Sequence, residues 1–172
     1  LVSLAEQHYP GRVAARFRLD GALAHRIYAG ADLFPMPSQF EPCGLSQMIA
    51  LRYGTIPVVR ETGGLRDTVL SYNEANGAGN GFTFFNYNAH DMLFTLRRAL
   101  HFFQNNRPVW QLLQHRAMTG DYSWAHSAET YLALYQDMMD NCHHALAQEP
   151  VPETPPIAVK KPRTRKPKAE KQ

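Results

Sequence analysis

The chain has 172 residues, 44% of them apolar, and a net charge of +3. That length suffices for one domain with a real core, and no apolar run reaches the 18 or so residues that a membrane helix requires. The charge is unevenly spread. Residues 148–172 carry five Lys, two Arg and three Glu, while residues 1–147 carry eleven Arg, no Lys and twelve acids, a net of about −1. The excess positive charge therefore belongs to the tail.

In chain order, the N-terminal LVSLAEQHYPGRV lacks an initiator Met and does not read as a signal peptide, so it reads as a chain entered in mid-domain. Residues 12–18 (RVAARFR) form a strand candidate. Asp20 can cap a helix through AHRIYAGA. Residues 32–36 (DLFPM) are a second strand candidate, weakened by Pro35. Residues 43–53 have helical periodicity and stop at Gly54, a favourable C-cap. Residues 56–59 (IPVV) read as a buried strand, 64–70 as a short helix and 81–85 (GFTFF) as a strand entered from a glycine-rich loop, residues 73–81, taken as a flexible connector. Three helices follow, over residues 90–103, over residues 108–118 with Pro near the first turn, and from Ser123 or Ser127 onward. The tail holds six of the twelve prolines and almost no large apolar residues. It cannot bury enough surface to offset its ordering entropy and reads as disordered. We expect it to act as a solubilising linker, its alternative being a contact to nucleic acid or another acidic surface.

Strands alternating with helices predict an α/β fold, a Rossmann-like parallel sheet with flanking helices. Residues 1–147 then make one domain and 148–172 the disordered basic tail. Ligands of such sheets bind beyond the carboxyl ends of the strands. Two strand-to-helix loops lie there. The first, residues 37–44, contains Glu41, Cys43 and Gly44 and leads to Leu45 and Ser46. A helix N-terminus favours an anion, Gly44 permits close backbone approach, Ser46 adds a hydroxyl and Pro42 stiffens the turn. Glu41 is either a favourable charge before a helix or a carboxylate set to accept sugar hydroxyls and stabilise an oxocarbenium-like centre. The second loop, Thr62-Gly63-Gly64, offers backbone N–H donors; alone it is equally a plain tight turn. The two together suit a sugar diphosphate.

Cys43 and Cys142 are too few and too far apart for a disulfide framework, which suggests a reducing cytoplasm. Cys142, His143 and His144 are adjacent rather than spaced for a metal, and no metal is expected. Trp110 and Trp124 read as core or domain-docking residues.

The stretches AHRIYAGAD, PSQFEPCGLSQMIALRYGTIPVVRETGGLRDTV, the GFTFF strand and RPVWQLLQHRAMTGDYSWAHSAETYLALY resemble the bacterial glycogen synthase family over about residues 1–140. The resemblance implies the C-terminal, donor-binding half of a GT-B glycosyltransferase. It implies a catalytic role for Glu41 and donor binding by Cys43, Gly44, Leu45, Ser46, Thr62, Gly63 and Gly64. His25 is shared with the family and is a further candidate, its alternative being a packing role. Leu19 stands where members often carry an aromatic residue that stacks on adenine. The family's Lys-Gly-Gly donor loop, its acceptor contacts and an Arg–Lys diphosphate clamp would lie outside this chain, so the fragment alone is expected to be inactive.

The expected activity of the full-length protein is retaining transfer of glucose from ADP-glucose to the non-reducing end of an α-1,4-glucan. The expected partners are ADP-glucose, the glucan and the missing N-terminal domain, with no metal cofactor and no membrane. Two alternatives are a GT-B transferase using a UDP-sugar and a non-catalytic binding module reaching nucleic acid through its tail.

Overall fold

A computed structural model describes residues 2–148, with the side chains of Val2 and of residues 143–148 excepted. The order is α1 (Val2–His8), α2 (Gly21–Gly30), β1 (Leu33–Met36), α3 (Ser46–Arg52), β2 (Ile56–Arg60), α4 (Gly63–Thr68), β3 (Phe82–Phe84), α5 (Ala89–Asn105), α6 (Arg107–Thr119) and α7 (Trp124–Gln148). The described residues divide into two compact units, one ending at Tyr122 and the other, which holds α7, beginning at Ser123.

The three strands form one sheet in the order β1-β2-β3, and both pairings are parallel, as expected. Register runs from Leu33 opposite Ile56 to Met36 opposite Val59, and from Val58 opposite Phe82 to Arg60 opposite Phe84. β2 is central, and its first four residues are buried, which is why IPVV reads as a continuous apolar run rather than an alternation. Pro35 is tolerated because β1 pairs on one side only among the described residues.

The core joins Ile56, Val58 and Val59 of β2 to Leu51 of α3, Leu65 of α4, Phe82 of β3, Phe102 of α5, and Trp110 and Leu113 of α6. Trp110 is fully buried, stacked on Phe82 with its ring edge toward Phe103. Three side chains cap helices by accepting backbone N–H bonds. Asp20 accepts from Leu23 at 3.0 Å, Asn88 from Asp91 at 2.8 Å and Asn106 from Val109 at 3.3 Å.

Several sequence expectations change. Residues 12–18 form no strand; they follow α1 as irregular chain. The helix expected from residue 43 begins at Ser46, because Gly44 adopts φ 77°, a left-handed conformation that a helix interior excludes. Loop 73–81 is anchored rather than free. Arg98 donates to Tyr72 O and pairs with Glu74, Arg116 donates to the carbonyls of Gly77 and Gly79, and Asn80 bonds Leu70 N, Thr68 O and the Tyr122 hydroxyl. The loop also lies between α4 and β3, at the amino end of the sheet. Trp124 is 89% exposed and is no core residue. Cys142 is exposed within α7, whereas the tail after Gln148 and the His143 and His144 side chains lie outside the described residues.

Candidate functional site

In a parallel sheet the segments leaving the carboxyl ends of neighbouring strands emerge side by side. Here these are residues 37–45 after β1, residues 61–62 after β2 and residues 85–88 after β3. Each has its own sequence cause. Pro37 and Pro42 interrupt extension of β1, Gly44 turns the chain into α3, and Thr62 in an extended conformation opens α4.

The first two segments are joined backbone to backbone. Gly64 N lies 3.3 Å from Glu41 O and 3.2 Å from Pro42 O and donates to both. A Cβ on Gly63 would fall 2.0 Å from Glu41 O, and one on Gly64 would fall 2.2 Å from Cys43 O. The two glycines are therefore required for the loops to touch. This changes the sequence reading, in which both glycines offered N–H groups to a ligand, because the Gly64 N–H is already engaged.

Arg60, at the carboxyl end of β2, ties the first segment to the third. Its Nη1 donates to Gln39 O at 2.8 Å and its Nε to Phe85 O at 3.2 Å, with the guanidinium carbon 5.6 Å over the Tyr87 ring. Glu61 turns back toward β3 and accepts from the Thr83 hydroxyl at 2.6 Å. Beside these loops a cavity of about 280 Å³ is lined by Pro37, Phe84, Tyr87, Asn88, Ala89 and Met92.

Glu41 is half-buried. Its carboxylate has a single, long contact, 3.5 Å from the Ser38 hydroxyl, and among the described residues no Arg, Lys or His pairs with it. A carboxylate held in place but left without a cation is free to stabilise positive charge that arises beside it. The Thr62 hydroxyl occupies an N-cap position yet caps nothing, and Ser46, the first residue of α3, is half-buried. Cys43 and Leu45 are exposed, and the Cys43 thiol makes only a weak 3.8 Å contact to Gly44 O.

The structure thus brings Glu41, Cys43, Gly44, Leu45, Ser46, Thr62, Gly63 and Gly64 into one assembly. It does not bring His25 there. His25 Nδ1 lies 3.1 Å from the Tyr53 hydroxyl, in an aromatic group with Tyr28. Tyr53 follows the last residue of α3, a helix length of roughly 10 Å from the loop. Leu19 is fully exposed just ahead of α2.

Sequence reasoning missed Arg60 and Gln47. Gln47 looked like part of a core helix, yet it is a lone amide at the head of the apolar run Met48-Ile49-Ala50-Leu51, which is the signal that marks it. Its Nε2 lies 3.0 Å from Cys43 O, 2.7 Å from Gly44 O and 3.1 Å from the Thr68 hydroxyl, which itself donates to Gly64 O at 2.6 Å.

Comparison with known proteins bears on this arrangement. The chain is 62% identical to the glycogen synthase of Geobacillus thermodenitrificans over 138 residues, which are 80% of this chain and 28% of that protein. It is 54% identical to the glycogen synthase of Clostridium novyi over 131 residues, 76% of this chain and 27% of that one. The chain thus spans little more than a quarter of the curated relatives it matches. Among solved structures it resembles the catalytic domain of starch synthase IV from Arabidopsis thaliana bound to ADP and acarbose, with a TM-score of 0.68 and 40% identity over 78% of this chain and 28% of that one. Sucrose-phosphate synthase from Thermosynechococcus elongatus, 22% identical with a TM-score of 0.55, shares the fold. These likenesses agree with the α/β, GT-B fold expected from the sequence. The model of the glycosyl transferases group 1 family matches residues 9–106, the stretch that holds both loops, and the chain belongs to that family.

Proposed function

We propose that this chain is the donor-binding part of a glycogen synthase that transfers glucose from ADP-glucose to the non-reducing end of an α-1,4-glucan, with retention of configuration. The observation that carries the reading is Glu41, a carboxylate without a cationic partner among the described residues, on a loop whose backbone is bonded to Gly64. The identity to glycogen synthases spans this whole assembly and supports the same reading.

In this scheme Gly44 and Leu45 direct backbone N–H groups at the diphosphate, with the Ser46 and Thr62 hydroxyls as further donors. Glu41 faces the glucose and stabilises the oxocarbenium-like transition state, which is worth more inside a closed, water-poor site than in bulk water. Retention at one face leaves little room for a separate base, so the departing phosphate takes the acceptor proton. The starch synthase to which this chain is similar is bound to ADP, which favours an adenine nucleotide over UDP. Leu19 then covers a base face by apolar contact alone. The reading calls for no metal. It places the protein in the cytoplasm, and no helix among the described residues is long and apolar enough to cross a membrane.

The test is donor titration and Glu41→Ala in the full-length protein. We expect ADP-glucose to be used in preference to UDP-glucose. Glu41→Ala is expected to reduce turnover by about 10²-fold or more, as for other transition-state electrostatic contacts, with ADP affinity little changed. Preference for UDP-glucose would overturn the donor assignment, and unchanged turnover would overturn the role of Glu41.

A further inference from the structure

Gln47 is fully buried, and its amide is peculiarly satisfied. Two of its three neighbours are backbone carbonyls, which only accept, so the amide nitrogen must face them and the oxygen must face away. That oxygen, Oε1, is buried and has no hydrogen-bond partner. It lies where a side chain on Gly44 would go: a Cβ there would fall 2.4 Å from Oε1. A buried, unpaired acceptor in a native fold needs a reason. The reason here is that the amide is oriented by its two N–H groups, which are shared among the Cys43 and Gly44 carbonyls and the Thr68 hydroxyl.

The carbonyls of Cys43 and Gly44 point inward at Gln47. In a trans peptide the C=O and N–H point in opposite directions, and no peptide bond among the described residues is cis. The N–H groups of Gly44 and Leu45 therefore point away from the buried amide. Neither makes a hydrogen bond among the described residues. Gly44 at φ 77° followed by Leu45 in the helical region is a sequence of conformations that converges successive N–H groups on an anion.

We propose that Gln47 is a positioning residue of the donor site, whose amide holds the Cys43 and Gly44 carbonyls inward and so presents the Gly44 and Leu45 N–H groups to the diphosphate of a nucleotide sugar. Through the Thr68 hydroxyl and Gly64 O the same amide registers the second loop against the first. The inference rests on the glucosyltransferase reading for the identity of the ligand, but not for the hold on the loops.

The test uses the full-length protein with Gln47→Met, which keeps length and loses both N–H groups, and Gln47→Glu, which puts acceptors beneath two carbonyls. Leu51→Val, on the same buried face of α3, is the control for lost packing. Both Gln47 variants are expected to raise the KM for ADP-glucose and the Kd for ADP by about tenfold or more, with the glucan KM unchanged. Site-resolved hydrogen exchange at the Gly64 N–H, which is bonded to the first loop, is expected to quicken by about fivefold or more in Gln47→Met and not in Leu51→Val. Donor KM and ADP Kd matching the Leu51→Val control would overturn the inference. If the wild-type protein neither binds ADP nor transfers glucose, the functional reading falls. Exchange at Gly64 then still decides the role of Gln47: faster exchange supports the hold on the loops, and unchanged exchange overturns it.

Discussion

Gly64→Ala is the sharpest test of the loop pair. An added Cβ would sit 2.2 Å from Cys43 O, 2.6 Å from Cys43 Cα and 2.7 Å from the Cys43 carbonyl carbon, all backbone atoms that no side-chain rotation can clear. The two segments must part by roughly 1 Å to reach ordinary van der Waals separation. Overpacking of this kind costs about 1–3 kcal/mol. Parting also weakens the Gly64 N–H bonds to Glu41 O and Pro42 O, worth about 1 kcal/mol more. The expected loss of stability is therefore about 2–4 kcal/mol by urea denaturation. Because Glu41 rides on the displaced loop, a misplacement of about 1 Å is expected to lower turnover by about 10²-fold. The assay is transfer of labelled glucose from ADP-glucose by the full-length protein, well below its unfolding temperature. Gly30→Ala, where a Cβ meets nothing within 4 Å, is the control and should leave both quantities unchanged. Wild-type turnover and stability in Gly64→Ala would refute the claim that the two loops are held at backbone contact.

Other outcomes follow from single contacts. Arg60→Lys replaces a fork that reaches Gln39 O and Phe85 O by a single ammonium that cannot span both. Turnover should fall by about tenfold with about 1 kcal/mol of stability lost, read by the same transfer and urea assays. Trp110→Ala removes a fully buried indole packed on Phe82 and Phe103, and should cost about 3–5 kcal/mol by urea denaturation. Burial raises the Tyr122 hydroxyl above its usual value near 10, against a smaller opposing effect of the Asn80 side chain. The folded state then keeps this proton to higher pH than the unfolded chain. The corresponding stability is complete below pH 10 and lost as pH rises through the folded value. Tyr122→Phe should flatten that alkaline decline in urea midpoints, and an unchanged decline would contradict the assignment.

Much of the α/β body was legible because its signals are local. The run IPVV between Gly54 and Arg60 reads as a central strand, Asp20 reads as a cap before AHRIYAGA, and α5 repeats its apolar positions at helical spacing. Residues 12–18 misled because alternating arginines and apolar residues imitate a half-buried strand, while no pairing partner exists for them among the described strands. Of the two readings of Trp124, core or domain-docking, its exposure removes the first, because burial depends on neighbours the sequence does not name.

Glu41, Gly44 and Thr62-Gly63-Gly64 stand out in the sequence by residue type and by their place between strand and helix. Their proximity also follows from the parallel order of β1 and β2. What the glycines do was decided by tertiary structure alone. Gly64 looked like a donor to a ligand, yet its N–H is engaged by the first loop, and both Gly63 and Gly64 leave room for the carbonyls of Glu41 and Cys43, a contact between segments some twenty residues apart. Gln47 and Arg60 belong to the same category. A glutamine in an apolar helix and an arginine at a strand end have no fixed meaning until folding places backbone carbonyls within hydrogen-bond reach, because the directions of those carbonyls depend on the whole path of the chain and not on residue identity.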